Sequence, residues 1–383
     1  MYDILVIGCG LTGMVIARFL AEKGLKVHII ERRNHIGGNL YTETHNETGV
    51  QIQKYGPHVF FTDNAEIEKY VNCFCETVPF YPECRTVIGG KAIPIPFNFE
   101  SIDMLYDKDY AQRLKDALLE EFGENTSVSV LDVINSNIKE IHEYGMFMYD
   151  YEYRKYTSKQ WGLTIEAIDP KVFMRVPVYI SYKKPYLNPQ YQYMPLGGFT
   201  ELSRKMLKHS NISVQLETDA LDGLKIENSK IKYDTFEEKI VYTGPLDALF
   251  DFKYGRLPYR ALEFTWKVID KKNAMITPIY AFPEADKYIR IVDYTQFPPQ
   301  ACEKSVIAIE YPLEYKADEL CGNEPYYPTL TDESKEQFSK YENLAKEIKN
   351  LYPCGRLADF KYYNMDAAIL RALDVANKIA VEN

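Results

Sequence analysis

Long apolar runs are missing from this sequence. None approaches the roughly 18 residues needed to cross a bilayer, so no membrane-spanning helix is expected. Basic charge is also in deficit. With 45 Lys and Arg against 55 Asp and Glu, the formal charge is −10. That excludes a basic surface for nucleic acid and makes any anionic ligand depend on local arginines. The seven cysteines are scattered without paired metal-ligand spacing, and Cys73 and Cys75 stand too close for a zinc knuckle. Reduced structural thiols in a cytosolic setting, and no metal site, are the expectation. The six histidines and the carboxylates form no Ser/His/Asp set or carboxylate pair that invites acid–base chemistry. Repeats and low-complexity tracts are absent. The first strand starts at the beginning of the chain and leaves no room for a signal peptide, which again favours a cytoplasmic location.

What is present is a complete mononucleotide-binding unit. Ile4 to Ile7 form an apolar strand, Gly8-Cys9-Gly10-Leu11-Thr12-Gly13 a glycine-rich turn, and the following residues a helix that ends near Gly24. Val27 to Glu31 form a second strand. Gly8 suits the tight turn, Gly10 a close pyrophosphate, and Gly13 close packing of helix on strand. The helix start offers free N–H groups and a positive dipole end to phosphate. Glu31, about 20 residues on, can accept both ribose hydroxyls and would repel a 2′-phosphate, disfavouring NADP. Gly37-Gly38 predicts a second close backbone approach to the cofactor, an arrangement that resembles FAD proteins more than NAD dehydrogenases.

Further along, 64–78 reads as a helix and 85–99 as a hairpin with a Gly89-Gly90 turn, its second strand an edge or a loop because of Pro94 and Pro96. Residues 101–163 read as an inserted helical subdomain, ending in an aromatic run with Tyr156 and Trp161. Thr200 is the expected N-cap of a helix opened by Gly197-Gly198. Strands in 212–243 lead to a Thr243-Gly244-Pro245 turn and return to the first sheet. A long helix is expected from about 333 to 350. Thirty-two tyrosines offer stacking faces and phosphate-directed hydroxyls.

These residues resemble the bacterial UDP-galactopyranose mutases, in order along nearly the whole chain. The resemblance rests on Gly8-x-Gly10-x-x-Gly13, Glu31 to Asn39, Gly56-Pro57-His58-Val59-Phe60, Tyr156-Thr157-Ser158-Lys159-Gln160-Trp161-Gly162, Arg175-Val176-Pro177-Val178, Tyr242-Thr243-Gly244-Pro245, Glu310-Tyr311-Pro312-Leu313, Glu324-Pro325-Tyr326-Tyr327-Pro328 and Gly355-Arg356-Leu357. It implies an α/β fold with a Rossmann-type FAD-binding domain (1–80 with 196–250 and 350–383), an inserted helical domain with a mobile substrate loop (100–165), and a β-rich substrate domain (81–99, 166–195 and 251–349). It implies interconversion of the pyranose and furanose forms of a nucleotide sugar. Reduced FAD attacks the anomeric carbon through N5, a nucleoside diphosphate leaves and returns, and no net redox occurs. By the same resemblance Arg175, Arg290 and His58 are catalytic candidates. Tyr156, Trp161, Tyr186, Tyr326, Tyr327 and Tyr362 join the two arginines in binding substrate. Gly8, Gly10, Thr12, Gly13, Glu31, Arg32, Gly38, Asn39, His58, Val59, Arg356, Tyr363, Asn364 and Met365 hold the cofactor. A flavin reductant and a homodimer are the implied partners.

Departures from the family pattern cluster at the sugar. Phe61 replaces a second histidine, Tyr81-Pro82-Glu83-Cys84-Arg85 an asparagine-containing loop, Tyr280 an asparagine, and Tyr294-Thr295-Gln296 a His-Lys-His stretch. Lys155 replaces a glycine and Asn364 an aspartate. Such losses suit a 6-deoxy or otherwise modified sugar, so dTDP-fucopyranose and UDP-N-acetylgalactosamine stand beside UDP-galactopyranose. A flavin amine oxidase-like oxidoreductase and a non-catalytic nucleotide-binding scaffold are the competing classes.

Overall fold

The computed structural model describes residues 2–168, 176–183, 189–316 and 324–382. Its first sheet has five parallel strands, ordered Ile212–Gln215, Val27–Ile30, Ile4–Ile7, Lys239–Tyr242 and Leu351–Pro353. All four residues of Ile4–Ile7 are buried, as a central strand covered on both faces requires. The helix Leu11–Glu22 follows it and packs with the last helix, Met365–Val381: Ile16, Ala17 and Leu20 share a core with Ile369, Ala372 and Ala376. The returning strands expected from 212–243 are in place, because Lys239–Tyr242 pairs directly with Ile4–Ile7. Leu224–Glu227 and Lys230–Tyr233 form a separate hairpin outside that sheet.

The second large sheet has seven strands. Their order is Tyr327–Pro328, Tyr259–Ile269, Ser305–Glu314, Arg290–Asp293, Ile279–Ala281, Cys84–Ile88 and Lys91–Ile95. The last two form the expected hairpin. Gly89 and Gly90 sit at φ 55° and 77°, the left-handed pair that a two-residue turn demands, and Lys91–Ile95 is the edge strand. Between the hairpin and residue 168 the chain is helical: Phe99–Leu105, Lys108–Phe122, Val130–Ile134, Lys139–Met148, a wide π-type turn at Tyr149–Thr157, and Ser158–Trp161. Leu114, Val133, Ile141 and Tyr144 of this layer share one core with Ile88, Ile93, Leu262 and Ile289 of the second sheet region. No helix among the described residues is long and apolar enough to cross a membrane.

Four local expectations are corrected. The helix predicted over 64–78 is Ala65–Asn72, N-capped by Asn64, whose side chain accepts from the N–H groups of Glu66 and Ile67. Thr77–Pro79 is a strand, drawn by β-branched residues into pairing with Tyr191–Pro195. Thr200 is not an N-cap. The helix Gly198–Leu207 starts from Gly197 at φ 85°, while Thr200 Oγ1 accepts from the Thr42 N–H at 2.7 Å and donates to its C=O at 2.8 Å. The predicted 333–350 helix spans Asp332–Lys346, capped by Thr331. Tyr191–Pro195 falls in the stretch assigned to the β-rich part, yet its partners are Phe60–Thr62 and Thr77–Pro79.

The helical layer contains one backbone contact that a side chain would break. A Cβ on Gly145 would lie 2.7 Å from Ile134 N and 2.9 Å from Val133 C. Gly145→Ala adds about 1 kcal/mol of helix propensity but should lower stability by about 1–3 kcal/mol through forced repacking. Denaturant unfolding of the two proteins measures the sign; a more stable variant would refute the contact.

Candidate active site

A cavity of about 270 Å³ opens where the parallel strands end, between the glycine-rich turn and the last helix. Gly8 turns the chain at φ 101°, and a Cβ there would meet Thr243 Oγ1 at 2.1 Å. A Cβ on Gly13 would meet Gly8 O at the same distance, so helix and strand touch through backbone. At Gly10 nothing lies nearer than Gly38 Cα, 4.0 Å away, and the surface there is open. The helix starts without a side-chain cap, and Leu11, Thr12 and Gly13 line the cavity. Glu31 is buried. Its Oε2 accepts from the Cys9 N–H at 2.8 Å and its Oε1 from the Arg33 N–H at 2.9 Å, which leaves lone pairs for a ligand.

Gly37-Gly38 has a prior task. The Gly37 N–H donates to Cys9 O at 2.9 Å, and a Cβ on Gly38 would stand 2.9 Å from Gly10 Cα. The second glycine pair therefore packs on the first glycine turn, and both border the cavity. Arg32 and Arg33 share the Glu324 carboxylate, Arg33 at 2.9 Å. Arg33 also donates to Asn39 Oδ1 at 3.0 Å. Arg356 is tied down by donating to Tyr326 O at 3.0 Å and Tyr363 O at 2.6 Å; burial lowers its pKa. His58 is held through its backbone, donating to Gln53 Oε1 at 2.6 Å and accepting from Gln53 Nε2 at 3.1 Å. Burial, then the Arg356 charge, push its imidazole down to about 4, so it is neutral at pH 7 and unsuited to acid catalysis.

Gly8, Gly10, Thr12, Gly13, Glu31, Arg32, Gly38, Asn39, His58, Arg356, Asn364 and Met365 thus surround one space, joined by Tyr326. Tyr363 and Val59 do not. The Tyr363 hydroxyl bonds Asp359 at 3.2 Å, and Val59 lines a second cavity. One lining combines a buried carboxylate, an uncapped helix start and an open glycine backbone at the carboxyl edge of a parallel sheet, which fits a dinucleotide.

The second cavity, about 160 Å³, lies across the 57–59 segment: His58 borders the first space, Pro57 and Val59 the second. Arg290 and Tyr156 line it. Arg290 contacts Glu310 Oε2 through Nε at 2.9 Å and Nη2 at 2.7 Å. Glu310 is fully buried. Burial, the largest single influence, would lower the arginine, but the Glu310 charge and hydrogen bond together with Tyr156 and Tyr294 raise its pKa overall. Burial raises Tyr156 and Tyr327, keeping both hydroxyls protonated donors. Trp161, Tyr327 and Tyr362 gather into one aromatic cluster, with ring centroids 5.1 to 5.9 Å apart. The Trp161 turn is anchored: Lys159 Nζ donates to Phe282 O at 2.7 Å and Arg260 Nε to Gln160 O at 3.1 Å. The two tyrosines of the 324–328 turn divide, Tyr326 toward the first cavity and Tyr327 toward Trp161. Arg175 and Tyr186 lie outside the described residues.

Of the departures, Phe61, Pro82 and Cys84 line the second cavity. Tyr280 does not; its hydroxyl accepts from the Ile276 N–H at 3.2 Å. Three contributors were given no role by sequence reasoning: Glu310, which stood only as part of a motif, and Glu152 and Gln192, which were not named. Glu310 carried a readable signal, an acid on the inward face of a strand beside Val306 and Ala308. Glu152, buried in the π-type turn and lining the second cavity, and Gln192 carried none.

The family model for UDP-galactopyranose mutase matches residues 152–362, and one for an NAD(P)-binding Rossmann-like domain matches 6–74. A UDP-galactopyranose mutase of Mycoplasma genitalium is 32% identical over 99% of this chain and 95% of its own. A dTDP-fucopyranose mutase of Escherichia coli is 30% identical over 98% of each. A crystal structure of reduced UDP-galactopyranose mutase shares the fold with a TM-score of 0.72, at 15% identity, over 100% of this chain and 94% of that one. With a match of this extent to sequence, motif and fold, the chain belongs to the UDP-galactopyranose mutase family.

Proposed function

We propose that this protein is a flavin-dependent nucleotide-sugar mutase that interconverts pyranose and furanose rings without net redox. The observation that carries the reading is the adjacency of two spaces, a dinucleotide cradle and a cavity holding Arg290 and Tyr156, with the Pro57-His58-Val59 segment bordering both. FAD is the cofactor that this cradle suits; when reduced, it supplies a nucleophilic nitrogen for the anomeric carbon.

The chain's own residues then have defined tasks. Glu31 receives ribose hydroxyls, and the uncapped start of Leu11–Glu22 receives the pyrophosphate of the cofactor. Departure of the substrate's diphosphate develops negative charge, which Arg290 stabilises. Glu310 fixes the guanidinium along its Nε and Nη2 edge, so the cation is in place before substrate arrives. Tyr156, Tyr327 and Tyr362 supply hydroxyls, and Trp161 covers the site. Arg175 and Tyr186 complete the diphosphate set in this reading. His58, neutral and clamped by Gln53, shapes the wall between the spaces instead of moving a proton.

The sugar is part of the proposal. A lining that includes Phe61, Pro82 and Ile95 suits a methyl group better than a hydroxymethyl, which favours a 6-deoxy sugar such as that of dTDP-fucopyranose. UDP-galactopyranose and UDP-N-acetylgalactosamine are the alternatives. The reading also carries the domain division given above with 191–195 moved to the FAD-binding part, a homodimer, a separate flavin reductant and a cytoplasmic setting.

Purified protein should be yellow and should isomerise a nucleotide sugar only after reduction with dithionite. Equal rates in both oxidation states would refute the mechanism, and hydrogen peroxide release from an amine would favour the oxidase class. Side-by-side turnover of UDP-galactopyranose and dTDP-fucopyranose should favour the latter; the opposite order would end the 6-deoxy reading. Arg290→Ala should lower kcat/KM by about 10²- to 10³-fold while the flavin spectrum persists.

A further inference from the structure

The second cavity is walled largely by carbon, from Pro57, Phe61, Pro82, Ile95, Ile279 and Phe297. Into it come two acceptors that have no hydrogen-bond or ion-pair partner among the described residues. Glu152 is 7% exposed, and among the described residues no salt bridge reaches its carboxylate. Only its backbone C=O is engaged, accepting from Thr157 Oγ1 at 2.7 Å. Gln192 is 8% exposed. Its Nε2 donates to Phe80 O at 2.9 Å, which fixes the amide orientation and leaves Oε1 with no partner. The nearby cation is committed, since Glu310 already holds Arg290. A buried carboxyl and a buried carbonyl left unmatched both cost stability, and such costs are retained where a ligand removes them.

We propose that Glu152, assisted by Gln192, is a specificity-determining residue that accepts a hydrogen bond from an O–H or N–H group of the bound nucleotide sugar. This rests on the mutase reading for its ligand class but not on the chemistry of turnover. Three donors are candidates: a sugar hydroxyl, a sugar amine and the ring N–H of a pyrimidine base. An analogue lacking the donor would leave both acceptors stranded, which is the strongest form of discrimination such a site can show. The acid–base behaviour of Glu152 agrees. Burial pushes its carboxyl up to about 7, so the better acceptor, the carboxylate, forms as pH rises through neutrality. The same elevation means that the folded state holds a proton that the unfolded chain releases near 4.3. Stability is therefore lost as pH climbs from about 4.3 toward 7.

The test uses the oxidised flavoprotein and calorimetric binding of UDP, dTDP, UDP-galactose, UDP-galactosamine and dTDP-fucose, at pH 6 and pH 8.5. Wild type should bind its preferred ligand more tightly at the higher pH. Glu152→Leu should lose about 10- to 100-fold in affinity there. Glu152→Gln, which keeps the shape, should lose less and show a flat pH dependence. A loss seen already with UDP or dTDP assigns the donor to the base. A loss confined to galactose or fucose derivatives assigns it to a hydroxyl, and one confined to UDP-galactosamine to the amine. Both variants should keep the flavin spectrum, and their melting temperatures should fall less than that of wild type between pH 5 and pH 8. Affinities of both variants within twofold of wild type for all five ligands would overturn the proposal. So would loss of affinity that only tracks a lowered melting temperature. Failure of the reduced protein to isomerise any sugar would count against the mutase reading alone.

Discussion

Where the first strand becomes the first helix, backbone lies directly on backbone. Gly13 admits the Gly8 carbonyl to a place that any Cβ would occupy, and Gly38 comes up against Gly10 in the same way. Much of the site follows from these contacts. They bring the start of Leu11–Glu22 to the sheet edge with its N–H groups uncapped, and they hold the Glu31 strand close enough for its carboxylate to reach the Cys9 N–H. Because no side chain intervenes there, the space above the turn is left for a ligand and is bordered on the turn's side by peptide groups, which neither rotate nor titrate.

One short segment stands between this cradle and the second cavity. Pro57-His58-Val59 is pinned by Gln53 at both the N–H and the C=O of His58, so the wall between the two spaces is rigid in the part that matters. Beyond it stands a cation held in place by its counterion. In the proposed reading an acidic protein addresses a diphosphate through charge presented locally, on Arg290, with Glu310 behind it and fully buried. Net charge describes the surface and says little of such a pocket.

Local chemistry was legible in the sequence and long-range pairing was not. Gly8, Gly13 and the Gly89-Gly90 turn could be read because each reflects a backbone constraint that few other residues meet. The limit of the 64–78 helix was misread because Thr77–Pro79 becomes a strand only through Tyr191–Pro195, far away in the chain. Thr200 has the right chemistry for a cap, but the Thr42 backbone competes for its hydroxyl and wins. Glu310 is opposite Arg290 only because the two strands pair in that register. The π-type turn that buries Glu152 leaves no sequence periodicity to find, since a strand-like or α-helical reading of an aromatic run places its acids in solvent.

The two buried carboxylates of the second cavity's neighbourhood illustrate how burial and purpose can be told apart. Glu310 has a guanidinium on one oxygen, and removing either partner would strand a charge in the interior. Its role is explained within the protein. Glu152 has the same chemical group and similar seclusion, but nothing in the described chain supplies the positive or donor partner that a carboxylate requires. Structural burial of an acid is tolerated when the fold provides its partner; where the fold provides only a cavity, the partner must arrive with the ligand. The lining around it strengthens this step, because Phe61, Pro82 and Phe297 face the cavity with carbon, and the Arg290 guanidinium is already held by Glu310. A site of this composition grips a sugar nucleotide broadly by contact and selects it narrowly at the one point where it offers a proton.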